Sequence, residues 1–384
     1  MISPAGRTGG FTSGGVTTLR AALAVCATIG AAVAAEPPAA PRIDSLRLLG
    51  THNSYHVAPD PFTLGLMATV VPDEARANDV TQRTLTEQLD RGLRHFELDC
   101  YLDPDGGLFA EPLALTLAAR TGAVAGPLEH AAAVRQPGIK VLHSPGFDFR
   151  TTVPTLAAAL AEVRRWSDDH PGHVPVFFLI ECKQDSFSPT RPVPWSADGF
   201  STLEREILAG WPRDRILAPD DVRRGHPTLR EAVEGRGWPA VDACRGKVCF
   251  LLDNEGATRD LYLGDTPSLE GRLLFASVPR DNPAAAFMKR NDPVGSFAEI
   301  RALVAAGFLV RTRTDAGTVE ARANDTARRD RAIASGAQLL STDFPEPDPR
   351  FSDYHVRLPA PDEPAAAVRR AAPAPPPPPG RPAP

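Results

Sequence analysis

The chain has 384 residues, 42% of them hydrophobic, and a formal net charge of −5. That is enough to bury a sizeable core, and a single barrel of about 250 residues fits with room for insertions. The mild acidity and the lack of a strong basic run argue against nucleic acid as a partner.

Residues 1–35 carry Arg20 and then the apolar, Ala-rich stretch "AALAVCATIGAAVAA". Val33, Ala34 and Ala35 form a small-residue cleavage site. The segment therefore reads as a signal peptide cut after Ala35, which makes the protein secreted or periplasmic. A membrane anchor is the alternative, but the apolar run is about 15 residues where a span needs about 20. Residues 359–384 are Pro/Ala-rich, bury too little side chain to order themselves and read as a disordered tail. The folded part is residues 40–358.

Eight short apolar runs within it end in polar residues: 46–49, 94–102, 139–142, 176–181, 248–253, 272–277, 308–313 and 337–342. Helical patterns separate most of them, such as "TLTEQLDRG", "TLAAALAEVRRW", "TLEREIL", "FAEIRALVAAG" and "ARRDRAIASG". "DNPAAAFMKR" carries a helix-start signature in Asn282-Pro283. Strands alternating with helices mean parallel pairing, and eight of them predict a (β/α)8 TIM-type barrel. An open doubly wound sheet is the alternative, but no Gly-rich dinucleotide loop follows the first run.

Barrel chemistry sits at the C-terminal ends of the strands. There the sequence places His52 and Asn53, Glu97 and Asp99, His143, Glu181 and Lys183, and Arg311 and Arg313. Glu97 and Asp99 are two apart and share a face. Buried together with Glu181, they need a positive partner, which Lys183, Arg150 or a metal could supply. Asn53, Glu97, Asp99 and Glu181 form an all-oxygen ligand set, which suits Ca2+ or Mg2+ and not zinc. Lys183, Arg311 and Arg313 are candidates to hold phosphate or inositol, with salt bridges at the rim as the alternative. His56 reads as a supporting or structural residue. His95, on the same face as Glu97 but deeper, reads as a core histidine.

Four cysteines follow the signal, and export permits disulfides. Cys244 and Cys249 are near enough in sequence to bridge. Cys100 and Cys182, with a strand between them, are predicted to lie about 9.6 Å apart. That is beyond the roughly 7 Å limit for a disulfide.

"GTHNSYH", "LRHFELDCY", "KVLHSPGFDFRTT…VPVFFLIECK" and "GAQLLSTDFP" together resemble the secreted bacterial calcium-dependent phosphoinositide-specific phospholipases C, within the PLC-like phosphodiesterases. The resemblance covers about residues 43–350. It implies that His52 and His143 are the catalytic pair and that Asn53, Glu97, Asp99 and Glu181 ligate calcium. It further implies cleavage of phosphatidylinositol to diacylglycerol and a cyclic inositol phosphate by attack of the inositol 2-hydroxyl. Two histidines near their working pKa suit that acid and base work. His143 is then the general acid to the leaving oxygen, His52 stabilises the phosphoryl charge or assists proton transfer, and Glu181 takes the hydroxyl proton. The substrate is a bilayer lipid, so the expected partner is a membrane surface touched peripherally by a monomer, with residues 57–71 a candidate docking loop.

Two rivals remain. Glycerophosphodiester phosphodiesterases share the barrel, but their first motif reads His-Arg-Gly and their second His precedes Asp. Here the residues are His52-Asn53-Ser54 and His143-Ser144. A secreted binding protein on an inactive barrel would be expected to lack one of the six residues, and none is missing.

Overall fold

The computed structural model describes residues 40–358, so the predicted signal and tail lie outside the described residues. Ten strands follow in chain order: β1 (Leu48–Thr51), β2 (His95–Tyr101), β3 (Lys140–Val141), β4 (Val176–Cys182), β5 (Ile216–Leu217), β6 (Val248–Leu252), β7 (Leu274–Ala276), β8 (Phe287–Lys289), β9 (Leu309–Arg313) and β10 (Leu339–Thr342). Parallel pairing runs β6-β4-β2-β1-β10-β9-β8, with β7 beside β6. A parallel bridge between Ser277 and Phe287 brings β7 against β8 and closes the ring. The architecture is the predicted (β/α)8 barrel.

Helices cover the strands because their apolar residues recur on one face. In Leu156–Asp169 the residues Leu156, Ala159, Leu160, Val163 and Trp166 are buried, at the spacing of a single helical stripe. Thr155 caps the start by accepting from the Ala158 amide. Each large side chain on such a stripe contributes about 1.5–3 kcal/mol by leaving water. Among the described residues no helix is long and apolar enough to cross a membrane.

Three expectations need correction. Residues 139–142 do not form a barrel strand, because β3 is antiparallel to β2, with Cys100 opposite Val141 and Tyr101 opposite Lys140. β1 pairs with β2 only at Gly50 and His95, which leaves the upper edge of β2 free for β3. The chain therefore folds back down into the mouth and delivers His143 from above.

The missing barrel strand is β8, inside the stretch read as a helix start. The Asn282 side chain accepts from the Ala284 amide, which makes a turn, and the chain then runs on extended into the barrel. Asn-Pro opens turns as readily as helices.

With β3 displaced, β2 and β4 are neighbours, and Cys100 lies directly in register with Cys182. The predicted spacing between them was therefore wrong. The four cysteines among the described residues are nevertheless free and buried, including Cys244 and Cys249.

Candidate active site

The first loop is fastened to β2. The Ser54 amide donates to the Glu97 carbonyl, and the Ser54 hydroxyl accepts from the Glu97 amide, both at 2.9 Å. Asn53 turns the chain with φ of 45°, a left-handed conformation that Asn tolerates better than most residues. This fixes His52 and the buried Asn53 above the carboxylates of β2.

Glu97, Asp99 and Glu181 converge, with one carboxylate oxygen from each lying within 4.8 Å of the others. Asp99 and Glu181 are direct register partners on β2 and β4. Both Asp99 oxygens are buried and have no hydrogen-bond partner. Burial, reinforced by Glu181, raises the Asp99 carboxyl well above its ordinary range. Lys183 answers part of this charge, its Nζ standing 3.5 Å from Asp99 and 3.3 Å from Glu181. Three converging carboxylates with one lysine among them offer the hard oxygens that suit a calcium ion. Asn53 lies buried in the loop pinned to Glu97.

Glu97 is held from the other side. Arg311 is buried and bonds to Glu97, to the Asn291 side chain and to the Ser341 hydroxyl 3.0 Å away. Of the three candidate phosphate or inositol contacts, Arg311 is thus occupied inside the barrel, whereas Lys183 and Arg313 stand nearer solvent.

Each histidine of the pair rests on a buried aspartate. His52 Nδ1 is 2.9 Å from Asp343 Oδ1, and the Arg313 guanidinium lies alongside, 3.0 Å from Asp343 Oδ2 and 3.3 Å from His52 Nε2. Nδ1, facing the carboxylate, donates to it, and the Arg313 guanidinium lies 3.2 Å from Nδ1 as well as 3.3 Å from Nε2. Burial, and then the Arg313 charge, push the His52 ring well below its ordinary value. His143 Nδ1 donates to Asp148 Oδ2 at 2.7 Å, which leaves Nε2 for the mouth. Burial alone would raise Asp148, but His56 and His143 outweigh it and hold the carboxyl well below its ordinary range.

The sequence reading singled out neither Asp148 nor Asp343 as a site residue. For Asp148 a signal existed: Pro145-Gly146 marks a tight turn that brings residue 148 back against residue 144. His95 is fully buried below Glu97, and neither ring nitrogen has a hydrogen-bond partner. Burial drives its pKa well down, and it takes no part at the mouth.

Residues 42–369 match the family model described as phosphoinositide phospholipase C, Ca2+-dependent. Solved structures share the fold at low identity. A calcium-dependent phosphoinositol-specific phospholipase C from Pseudomonas sp. is 15% identical, with a TM-score of 0.50 over 83% of this chain and 95% of that one. A second structure of it, with myo-inositol, is 15% identical, with a TM-score of 0.50 over 82% and 93%. A Ca2+-dependent phosphatidylinositol-specific phospholipase C from Streptomyces antibioticus is 18% identical, with a TM-score of 0.51 over 79% and 95%. No curated protein matches the chain. By the family model, which spans nearly all the described residues, the chain belongs to the Ca2+-dependent phosphoinositide phospholipases C, a family of phosphodiesterases whose cofactor is calcium.

Proposed function

We propose that this enzyme cleaves phosphatidylinositol between phosphate and diacylglycerol, with the inositol 2-hydroxyl as nucleophile and a cyclic inositol phosphate as first product. The observation that carries the reading is the buried Asp99 carboxylate, with Lys183 3.5 Å away as its ion partner, flanked by Glu97 and Glu181 beneath two aspartate-held histidines. Asn53, Glu97, Asp99 and Glu181 would hold calcium. Bound there, the ion lowers the pKa of a coordinated hydroxyl and offsets charge on the phosphoryl oxygens.

The chain's own residues divide the remaining work. Glu181, half-buried at the rim of the cluster, takes the 2-hydroxyl proton. His143, fixed through Nδ1 by Asp148, presents Nε2 to the leaving oxygen and gives it a proton. Arg313 offers its guanidinium to the phosphoryl oxygens with neutral His52 beside it to assist proton transfer, and Lys183 adds positive charge at the rim.

The substrate lies in a bilayer, and the mouth carries apolar groups exposed enough to meet one. Phe187, 79% exposed, stands in the loop after β4. The Tyr101 hydroxyl links that loop to the His143 segment, standing 3.2 Å from the His143 carbonyl and 3.1 Å from the Asp185 carbonyl. The 57–71 segment forms a helix, Pro61–Val70, that buries Thr63 and Met67 and exposes Val70. Peripheral contact through Phe187 by a secreted or periplasmic monomer fits this arrangement. Phe187→Ser is expected to lower turnover on phosphatidylinositol vesicles and leave a soluble short-chain substrate unaffected. Equal loss on both would remove the membrane role.

The chemistry is tested by following phosphatidylinositol turnover with phosphorus NMR. A cyclic phosphodiester resonance that appears before any monoester supports 2-hydroxyl attack. A monoester formed first, with no cyclic species, contradicts it.

A further inference from the structure

His56 lies outside the roles assigned so far. It is buried, 1% exposed, and cannot reach substrate. Its ring is nevertheless bonded at both ends: Nδ1 is 2.9 Å from the Val80 carbonyl and Nε2 is 2.8 Å from Asp148 Oδ1. Both partners only accept, so both ring nitrogens serve as donors.

Asp148 is thus shared between two histidines, Oδ1 taken by His56 and Oδ2 by His143. The two rings meet edge to face, centroids 5.9 Å apart at 88°. The backbone locks this arrangement. The Ser144 and Asp148 amides each donate to the other's carbonyl, at 2.8 and 3.2 Å, across a turn at Gly146. Gly146 has φ of 95°, and a Cβ there would lie 2.4 Å from the Ser188 Cβ, so the turn has no alternative residue. A second isolated antiparallel bridge fastens the two loops together. His56 bridges Thr151, the Thr152 amide donates to the Tyr55 carbonyl at 2.7 Å and the Val57 amide to the Arg150 carbonyl at 3.3 Å.

We propose that His56 is a positioning residue for the phosphodiesterase reaction, holding Asp148 Oδ1 so that Oδ2 stays aimed at His143 Nδ1 and the His143 ring keeps its plane and tautomer. The proposal rests on His143 being the general acid. Without a donor on Oδ1, a buried carboxylate oxygen is left unpaired, and the carboxylate is free to rotate or draw in water. His143 would then lose the fixed direction of its Nε2. A misplacement of about 1 Å in such a group lowers rates by about 10²-fold.

Two substitutions separate this role from packing. His56→Gln can place an amide donor where Nε2 stood, keeping Asp148 and losing Val80. His56→Asn can reach Val80 and leaves Asp148 without its donor. On phosphatidylinositol, H56N is expected to lower kcat by about 10- to 100-fold with KM within about twofold, and H56Q to stay within about fivefold of the parent enzyme. Should H56N not fold, His56→Met, of similar size and without a donor, takes its place.

The same enzymes are then run on an inositol phosphate ester of p-nitrophenol, whose leaving group departs without a proton. If His56 acts through the acid, the H56N deficit shrinks to a few-fold, as does the deficit of His143→Ala. Equal losses in H56N and H56Q overturn the proposal. So does a deficit in H56N that persists on the activated ester while that of H143A shrinks. If the H143A deficit does not shrink, the acid assignment itself fails, and the proposal fails with it by a separate and visible route.

Discussion

The two histidines proposed to be catalytic stand on the same support and in opposite surroundings. Each donates a hydrogen bond from Nδ1 to a buried aspartate, Asp343 under His52 and Asp148 under His143. Beside His52 lies a guanidinium, that of Arg313, which with burial keeps the ring neutral. Beside His143 lies a second histidine, His56, bonded to the same carboxylate. A neutral ring next to a fixed cation is suited to assist proton transfer while the cation holds phosphoryl charge. A ring backed by a carboxylate that two histidines keep ionised is suited to donate a proton and take it back. The lesson is that a histidine's immediate partner does not set its role; the next charge along does.

The largest test of this contrast is His143→Ala, expected to lower kcat on phosphatidylinositol by about 10²- to 10⁴-fold, as removal of a general acid does. Steady-state kinetics check it, and retention of a tenth of the activity would break the contrast. Asp343→Asn is expected to cost less, about 10- to 10²-fold in kcat, because His52 keeps Arg313 while losing its orienting carboxylate. A loss as large as that of His143→Ala would mean that the two histidines share one role.

The smallest effect is a shift in pH. Arg313→Met removes a charge that lowers the His52 pKa, so that pKa rises. If neutral His52 is the working form, the acid limb of the kcat/KM profile moves to higher pH by about one unit. An unmoved limb, or one moved to lower pH, would separate His52 from that limb.

Much of this was legible in the sequence. Seven of the eight barrel strands showed themselves as apolar runs, because a strand buried on both faces has few polar positions. β8 was hidden because only Phe287–Lys289 is extended and an Asn-Pro turn precedes it. Residues 139–142 looked like a barrel strand because apolar content reports burial and not direction. His52, Asn53, Glu97, Asp99 and Glu181 could be placed because strand ends and two-residue spacing place side chains. His143 joins them through the family resemblance, since its segment is not the barrel strand that its apolar content suggests. The supports could not be named so easily: Asp148 reaches His143 through a turn, and Arg311 reaches Glu97 across the barrel, 214 residues away in sequence. Such contacts depend on closure of the fold.

The raised carboxyl of Asp99 also ties stability to calcium. Its pKa is higher in the folded chain than in the unfolded one, so without metal its contribution is full below the ordinary carboxylate range and is lost as pH rises through the raised value. Thermal unfolding of the calcium-free protein is expected to show stability falling with rising pH over that window. Added calcium should restore more stability at the high end than at the low end. A calcium-free profile that is flat across the window would remove this link.

The account stands most directly on phosphatidylinositol turnover measured against free calcium for the parent enzyme and Asp99→Asn. The parent is expected to saturate with calcium and to stop when the ion is chelated. Asp99→Asn, which keeps the shape and removes the charge, is expected to need at least about tenfold more calcium. Turnover indifferent to chelation, or an unchanged calcium requirement in Asp99→Asn, would contradict the convergence of Asn53, Glu97, Asp99 and Glu181 on one ion.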